Sequence, residues 1–245
     1  MQALLARRNI VAVGIIVFAI LPTVANAYIV FVANLALMYI LLSVGLNMLL
    51  GYAGQLAFPN AALFGVGAYT SGLLRLEFDL PYWITLPAGA AFATLIGLAI
   101  ALPALRLRGL YLALATIAFA QAALWVFGPW NSVTYGGAGF RVPPMDFSPL
   151  PLDPSTGIYY LTLIIVLVAV PLGWNMLRSR VGRAWVALRE SEVAAATLGI
   201  DLTRYKAYAY VVSGLYAGTA GAIFSALLGI VTPESFDLFQ VIVHF

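Results

Sequence analysis

The amino-acid sequence predicts an all-α protein, a bundle of helices that crosses a membrane several times. Of its 245 residues 63% are hydrophobic and 9% are charged, and the mean hydropathy is +1.00, more than the core of a water-soluble domain requires. The chain divides into apolar, uncharged units of about 17 to 25 residues, and about 20 apolar residues in a helix span the hydrocarbon layer. These runs do not alternate in polarity, which excludes the strands of an outer-membrane barrel.

We place seven spans in these runs, and a further apolar stretch begins near the end of the chain. The seven cover residues 10–26, 28–50, 57–74, 82–103, 110–127, 158–177 and 207–230. Tyrosine and tryptophan residues lie near several of the expected ends, where their amphipathic rings favour the membrane interface. The sequence therefore predicts a single transmembrane domain over residues 1–245, with about seven to eight helices.

The basic residues predict which ends of the helices face the cytoplasm. If Arg7 and Arg8 hold the N-terminus inside, alternation of the spans places ten of the twelve Lys and Arg residues in the cytoplasm. The positive-inside rule requires such a bias. Residues 178–206 then lie inside, and residues 128–157 lie outside.

The first span is open to a second interpretation. Its basic start, apolar run and small residues at 25–27 also form the pattern of a secretory signal peptide. Removal of residues 1–27 would leave the topology of the remaining spans unchanged.

Composition and motifs exclude several classes of function. The chain has no cysteine, and its one histidine is His244, so we expect no disulfide and no metal site. The basic residues flank the apolar runs and form no separate basic face, which argues against nucleic acid as a partner. There is no nucleotide-binding loop, nucleophile elbow or zinc-protease motif. We therefore predict no catalytic residues and no cofactor.

The stretch from residue 45 to residue 72 is interrupted by glycine, proline and polar residues. Such breaks are tolerated at membrane depth where the freed backbone is buried in protein or lines a wet cavity, and broken helices often mark a transport path. The candidates to line a translocation path are Asn47, Gln55, Pro59, Asn60 and Thr70. The alternative is that these polar groups only join helices, through hydrogen bonds of about 1 kcal/mol each.

The last span carries small residues at every fourth position. They are Ser213, Ala217, Gly221, Ser225 and Gly229. Because four residues advance a helix by slightly more than one turn, the row forms a flat face on which another helix packs closely. The face indicates general helix packing or, alternatively, a seam along which the helices of a transporter move.

Residues 128–157 form a long irregular loop with six prolines and five glycines. A loop of this length is longer than a simple connector and is typical of binding or gating segments. We predict that it lies outside the membrane, where it either contacts a partner or only joins two spans.

Charge is concentrated between residues 178 and 206, which hold nine of the 21 charged residues. Ser191 is placed to cap a short helix, and Gly199 is placed to end that helix in a left-handed turn. Asp201 or Thr203 can cap the last span. Apolar surface between the charges comes from Trp185, Leu188, Val193, Leu198 and Ile200. The segment is either a connector resting on lipid headgroups or a docking helix for a cytoplasmic subunit.

Four stretches together resemble one family of membrane proteins. They are LNMLLGYAGQLAF and ALFGVGAYTSGLL within 46–74, LPALRLRGLYLALATIAFAQ at 102–121, SRVGRAWVALRESEVAAATLGIDLTRYK at 179–206, and TPESFDLF at 232–239. Together they are similar to the permeases of ABC importers for branched-chain amino acids. The stretch at 102–121 is typical of the M-type (LivM-type) subunit, and that at 179–206 resembles the EAA loop, which docks on the ATPase subunit.

This resemblance implies a transport subunit of a bacterial inner membrane, with its N-terminus in the cytoplasm, and not an enzyme. The implied partners are a second permease subunit in a heterodimer, two cytoplasmic ABC ATPases, a periplasmic substrate-binding protein and the surrounding membrane lipid. Within residues 182–200, the resemblance assigns ATPase coupling to Arg183, Arg189, Glu190, Ser191, Glu192, Ala194, Ala195 and Gly199. The alternative is an ATP-independent facilitator or channel for a small polar solute. The sequence leaves the cargo open between branched-chain amino acids, urea, an amide and an aromatic acid.

The chain departs from the family pattern at three places. Val193 holds the position at which the EAA pattern has Glu, and Glu192 stands one residue earlier. Pro59 and Asn60 replace the Gly-His pair that usually follows the GQLSL stretch. Family members also continue beyond the PESF motif through further helices, so we expect this chain to be truncated at its C-terminus.

Overall fold

Helices make up most of the protein in its computed structural model, which describes residues 14, 17–107, 109–127, 130, 134–145 and 153–236. The helices are α1 (Ala27–Leu46), α2 (Asn60–Phe78), α3 (Tyr82–Ala104), α4 (Leu110–Phe127), α5 (Pro154–Arg178), α6 (Arg180–Glu190), α7 (Glu192–Thr197) and α8 (Leu202–Leu228). A π-helical turn (Asn47–Tyr52) continues α1, and residues 17–24 are also helical. The remaining regular elements are strands β1 (Phe140–Arg141) and β2 (Ile230–Val231) and two 3₁₀ turns (Gly136–Ala138 and Pro233–Phe236).

These helices confirm the all-α, multi-pass membrane fold. In the part of the chain that the structure describes, four helices are long and apolar enough to cross a membrane: α1 with its π-turn, α3, α5 and α8. Helix α4 contains a shorter apolar stretch, Leu110–Ala123. The structure describes only residues 14 and 17–26 of the first expected span, 10–26, and the apolar stretch near the chain end lies outside the described residues, so the expected total of seven to eight is not fully tested.

Helix α2 coincides with the expected span at 57–74 but differs in kind from the long apolar helices. Thirteen of its 19 residues are buried, because neighbouring helices surround it. That position explains its composition, since small and polar residues lie at helix–helix contacts in membrane proteins, whereas lipid-facing positions are apolar.

Helix α8 is the central element, and it packs against α1, α2 and α3. Glycines bring the backbones close: Gly218 packs against Gly67 of α2 and against Ala93 of α3, and Gly97 of α3 faces the carbonyl of Tyr210. Helices in lipid associate through such close packing, because no hydrophobic driving force acts between them. The contacts fix α3 antiparallel to α8.

The two ends of the bundle differ in their chemistry. One end, here called the charged end, holds residues 178–206. The opposite end, here called the sheet end, holds β1 and β2, which pair antiparallel with Phe140 opposite Val231. Helix α5 runs from the sheet end to the charged end, and α8 returns.

The described part of the 128–157 loop is fixed to α2 at the sheet end. Arg75 donates hydrogen bonds to the carbonyls of Pro143 and Pro144, at 2.9 and 3.0 Å. The Tyr135 hydroxyl donates to the Glu77 carboxylate, and this hydrogen bond is the main cause that raises the pKa of Tyr135. The loop is therefore tied to α2 by hydrogen bonds on both sides of β1.

An aromatic cluster also packs at the sheet end. Phe236, in the PESF motif, is 1% exposed and packs against Phe64 and Phe224 with ring centroids 5.6 Å apart in both pairs. Edge-to-face pairs of this kind add about 0.5 to 1.5 kcal/mol beyond the area that they bury. The motif thus anchors the segment after α8 to α2 and α8.

Candidate functional site

The charged end contains a helix that the sequence analysis did not predict, α6. The Ser179 hydroxyl caps it by accepting from the Val181 amide at 3.1 Å. Its inward face carries Trp185, which is fully buried and donates from Nε1 to the Tyr205 carbonyl of α8 at 2.8 Å. Val181, Trp185 and Leu188 recur at helical spacing, and this periodicity could have predicted the helix.

Helix α7 begins and ends as its sequence indicates. The Ser191 hydroxyl accepts from the Ala194 amide at 3.2 Å, and Gly199 follows the helix with φ of 78°. The Asp201 carboxylate, rather than Thr203, caps α8 by accepting from the Arg204 amide at 3.1 Å. Short polar side chains satisfy the free amides of a first helical turn in this way.

A buried ion pair joins α7 to α8. The Lys206 ammonium contacts the Glu192 carboxylate, and their side chains are 5% and 23% exposed. Burial of both groups makes the pair costly to break from one side, because the remaining charge loses its partner in a poorly hydrated place. Glu192 therefore holds α7 against the bundle.

The outward surface of α7 is apolar and exposed. Val193 and Leu198 are 72% and 77% exposed, and the exposed residues Ala194, Ala196 and Thr197 lie between them in sequence. We call these five residues the α7 surface. An exposed apolar patch marks contact with another protein or with a membrane surface, the two alternatives that the sequence leaves open for this segment.

Other residues expected at this surface face inward. Trp185 and Leu188 are 0% and 3% exposed, so the expectation that they form the docking surface is wrong. Ala195, assigned to ATPase coupling by the family resemblance, is 1% exposed and packs into the core. The inward face of an amphipathic helix buries the larger apolar groups, which leaves Val193 and Leu198 outside.

Arg189 contacts the membrane-spanning part of the chain and not the α7 surface. Its Nη1 donates to the Gly51 carbonyl of the π-turn at 2.9 Å, and its Nη2 pairs with Glu190 at 2.9 Å. By contrast, Arg183 donates locally, to the Arg178 carbonyl at 3.1 Å. Of the expected coupling residues, Arg189 and Glu192 thus bind to other helices of the same chain.

The five candidates for the translocation path lie in and after the π-turn. Asn47 is exposed within the turn, and Thr70 is partly buried in α2. Gln55 is buried and donates to the Ala53 carbonyl at 3.2 Å. Pro59 is buried at the N-cap of α2, and the buried Asn60 accepts from the Ser213 hydroxyl at 2.8 Å. The fold brings Gln55, Pro59 and Asn60 to one region near the charged end, whereas Thr70 lies further along α2.

The irregular segment between the π-turn and α2 has a partner that the sequence did not indicate. The Phe58 amide donates to the Thr116 hydroxyl of α4 at 3.0 Å. A contact between residues 58 positions apart depends on the placement of α4. No local pattern could have found it.

An apolar groove of about 440 Å³ lies between α1, α5 and α8. It is lined by aliphatic residues such as Leu41, Val168 and Leu172 and by none of the five path candidates. The described residues also contain no cluster of three or more His, Cys, Asp or Glu side chains that could hold a metal ion.

Four of the five residues in the expected packing row, Ser213, Ala217, Gly221 and Ser225, are buried in α8. A side chain on Gly221 would overlap the Phe64 carbonyl of α2. Gly229 does not belong to the row, because α8 ends at Leu228 and Gly229 caps it with φ of 65°. The spacing alone did not show where the helix stops.

A sequence profile of one protein family matches most of the chain. The profile is described as the permease component of branched-chain amino acid transport systems, and it matches residues 28–245. No solved structure matches the chain significantly.

Individual relatives carry corresponding names. The high-affinity branched-chain amino acid transport system permease protein LivM of Escherichia coli (strain K12) is 32% identical over 94% of this chain and 60% of its own length. The protein of the same name from Salmonella typhimurium is 33% identical over 84% of this chain and 54% of its own. A probable permease protein LivH of Methanocaldococcus jannaschii is 27% identical over 81% of this chain and 65% of its own. The chain thus spans slightly more than half the length of the LivM relatives.

Proposed function

The chain belongs to the family of permease components of branched-chain amino acid transport systems, and from that membership we propose that it is one permease subunit of an ATP-driven importer. The cargo that we propose is a branched-chain or related amino acid, since the LivM relatives are named for that transport. An ATP-independent facilitator or channel is the alternative, and the family does not favour it.

The α7 surface carries the proposal of how energy reaches this subunit. Val193 and Leu198 are 72% and 77% exposed at the end of the bundle, whereas Trp185 and Leu188 of the same segment are buried. We propose that two cytoplasmic ABC ATPases bind the permease pair, one of them at this surface. A second permease subunit and a periplasmic substrate-binding protein would complete the importer.

The distribution of basic residues supports one orientation. Arg106 and the six Lys and Arg residues of 178–206 lie at the charged end, whereas Arg75 and Arg141 lie at the sheet end. We propose that the charged end faces the cytoplasm of a bacterial inner membrane, with the N-terminus on the same side. Residues 178–206 would then form the coupling loop, and residues 128–157 the periplasmic loop.

The π-turn and the irregular segment that follows it support a role in the translocation path. π-helical turns occur frequently at functional sites, and this one leads directly to Gln55, Pro59 and Asn60. We propose that this region, with Asn47 before it and Thr70 beyond it, lines part of the path when the second permease subunit is in place.

The docking proposal is tested with a charge on the α7 surface. We expect Leu198→Asp to abolish co-purification of the ATPase subunit, because a carboxylate in an apolar contact must be desolvated without a partner. Thr203→Asp is the matched control, since Thr203 is exposed in the first turn of α8. Insertion into the membrane should be unchanged in both variants. Undiminished co-purification of the ATPase with Leu198→Asp would exclude docking at the α7 surface. Absence of the ATPase from preparations of the unaltered chain would favour the facilitator.

A further inference from the structure

Arg189 joins the segment expected to receive the ATPase to the segment expected to line the path. On one side, α6 and α7 are held to α8 by the Trp185 hydrogen bond and by the buried pair of Glu192 and Lys206. On the other side, Arg189 of α6 donates to the Gly51 carbonyl in the π-turn. Its guanidinium therefore links two parts of the chain that lie 138 residues apart.

The Gly51 carbonyl lies at the C-terminal end of the long helix that α1 and the π-turn form. The last carbonyls of any helix have no partner within it and carry the negative end of the helix dipole. A guanidinium satisfies both the hydrogen-bonding and the electrostatic requirement. Arg189 thus caps the end of a membrane-crossing helix from a cytoplasmic one.

Packing reinforces this hydrogen bond at Gly54. Gly54 has φ of 66°, a conformation that favours glycine, and an added Cβ would lie 2.7 to 3.0 Å from three atoms of Arg189, its Cγ, Cβ and Cα. The backbone of residue 54 therefore rests directly on α6. Because the Arg189 side chain is 46% exposed, the hydrogen bond alone would be weakened by water, and the close backbone contact matters for transmitting a displacement.

The π-turn is the part of this helix that can respond to such a displacement. Its hydrogen bonds run from the amide of residue i+5 to the carbonyl of residue i, as from Ala53 to Met48 at 3.0 Å. A change to the α-helical i+4 pattern would shift every following residue by one position in the ladder. Gln55 and Pro59 follow within eight residues of Gly51, so they would move with it.

We propose that Arg189 is a positioning residue of the transport cycle, which transmits the movement of α6 and α7 to the π-turn and to residues 53–59. This inference rests on the proposed function, since it takes the ATPase as the source of the movement. It also assigns Arg189 a place inside the permease, distinct from the α7 surface that binds the ATPase.

The test uses the complete importer, with both permease subunits, the ATPases and the binding protein, in proteoliposomes with leucine as cargo. We expect Arg189→Met to retain the ATPase subunits and ATP hydrolysis, while leucine uptake per ATP hydrolysed falls severalfold, because the movement of α6 no longer reaches the Gly51 carbonyl. Arg189→Lys should restore part of the uptake, because an ammonium can still donate to the Gly51 carbonyl.

Two further variants separate this role from a loss of folding or of charge. Arg204→Met removes one positive charge at the same end, but Arg204 is 77% exposed and pairs only with Asp201 among the ion pairs of the described residues, so uptake per ATP should stay normal. Gly54→Ala leaves Arg189 intact but displaces it, and it should lower uptake per ATP as Arg189→Met does.

Several results would overturn the inference. Normal uptake per ATP in Arg189→Met or in Gly54→Ala would show that the contact transmits nothing. Loss of the ATPase subunits from Arg189→Met would make Arg189 a docking residue instead. ATP-independent leucine uptake by the unaltered importer would refute the proposed function itself, and the inference with it, which distinguishes the two failures.

Discussion

The ion pair between Glu192 and Lys206 gives a quantitative prediction, because its two members differ in exposure. Glu192→Ala leaves an ammonium whose side chain is 5% exposed, whereas Lys206→Met leaves a carboxylate on a side chain that is 23% exposed, with its Oε2 buried. Removing one partner of a buried pair costs about 3 to 5 kcal/mol. We expect Glu192→Ala to fall in that range, and Lys206→Met to cost less, about 1 to 2 kcal/mol, because the more exposed Glu192 side chain can turn toward water once the ammonium is removed.

The double variant Glu192→Ala with Lys206→Met tests whether the pair itself causes these losses. It leaves no buried charge behind, so we expect it to cost about 1 to 2 kcal/mol, with a coupling energy of about 4 kcal/mol between the two sites. Removal of Glu192 from the first turn of α7 also loses a favourable dipole contact of about 0.3 to 1 kcal/mol. Glu192→Ala and the double variant share this loss, so it cancels in the coupling energy.

The assay is equilibrium unfolding of the purified chain by SDS in mixed micelles, followed by circular dichroism, with the free energy of unfolding obtained for all four members of the cycle. Additive losses in the double variant would refute the reasoning, because they would show that the two charges do not interact. A larger loss for Lys206→Met than for Glu192→Ala would refute the role given to exposure.

Two other predictions concern packing and the irregular segment. Gly221→Ala should destabilise the chain by about 2 to 3 kcal/mol in the same assay, because the new Cβ would overlap the Phe64 carbonyl. Gly137→Ala should be neutral, since nothing lies within 4 Å of a Cβ there. Equal effects would contradict close packing of α8 on α2. Thr116→Val should cost about 1 to 2 kcal/mol more than Thr94→Val, because both lose a hydrogen bond within their own helix but only the first leaves the Phe58 amide without its acceptor. No difference between them would show that Thr116 does not hold the segment.

The sequence was sufficient for features that depend on local chemistry. Apolar runs located the long helices, because the bilayer requires length and hydropathy together. Ser191 and Gly199 marked the ends of α7, since caps are chosen by the backbone of a few neighbouring residues. Asp201 was one of two candidates for the α8 cap, and the structure selects it.

Helix α6 and the π-turn are features that the sequence analysis missed. The charges of α6 suggested a connector, although its apolar residues recur at helical spacing. The π-turn differs from an α-helix by one hydrogen-bond register, a difference too small to leave a pattern in composition.

Contacts between distant parts of the chain could not be predicted from the sequence. Arg189 with Gly51, Lys206 with Glu192, and Thr116 with Phe58 all depend on how the helices pack. For Gly229 the four-residue spacing gave a wrong prediction, because it placed the residue in a helix that had already ended. A glycine at this point fits a helix cap at least as well as a packing row.

The most direct measurement of docking is the labelling of Leu198→Cys, in a chain that has no cysteine of its own. A membrane-impermeant maleimide should react with residue 198 only from the cytoplasmic side, and the bound ATPase subunit should protect it. Thr203→Cys, beside the α7 surface, should react equally with and without the ATPase. Labelling of residue 198 from outside, or the same rate with the ATPase bound, would contradict docking at the α7 surface.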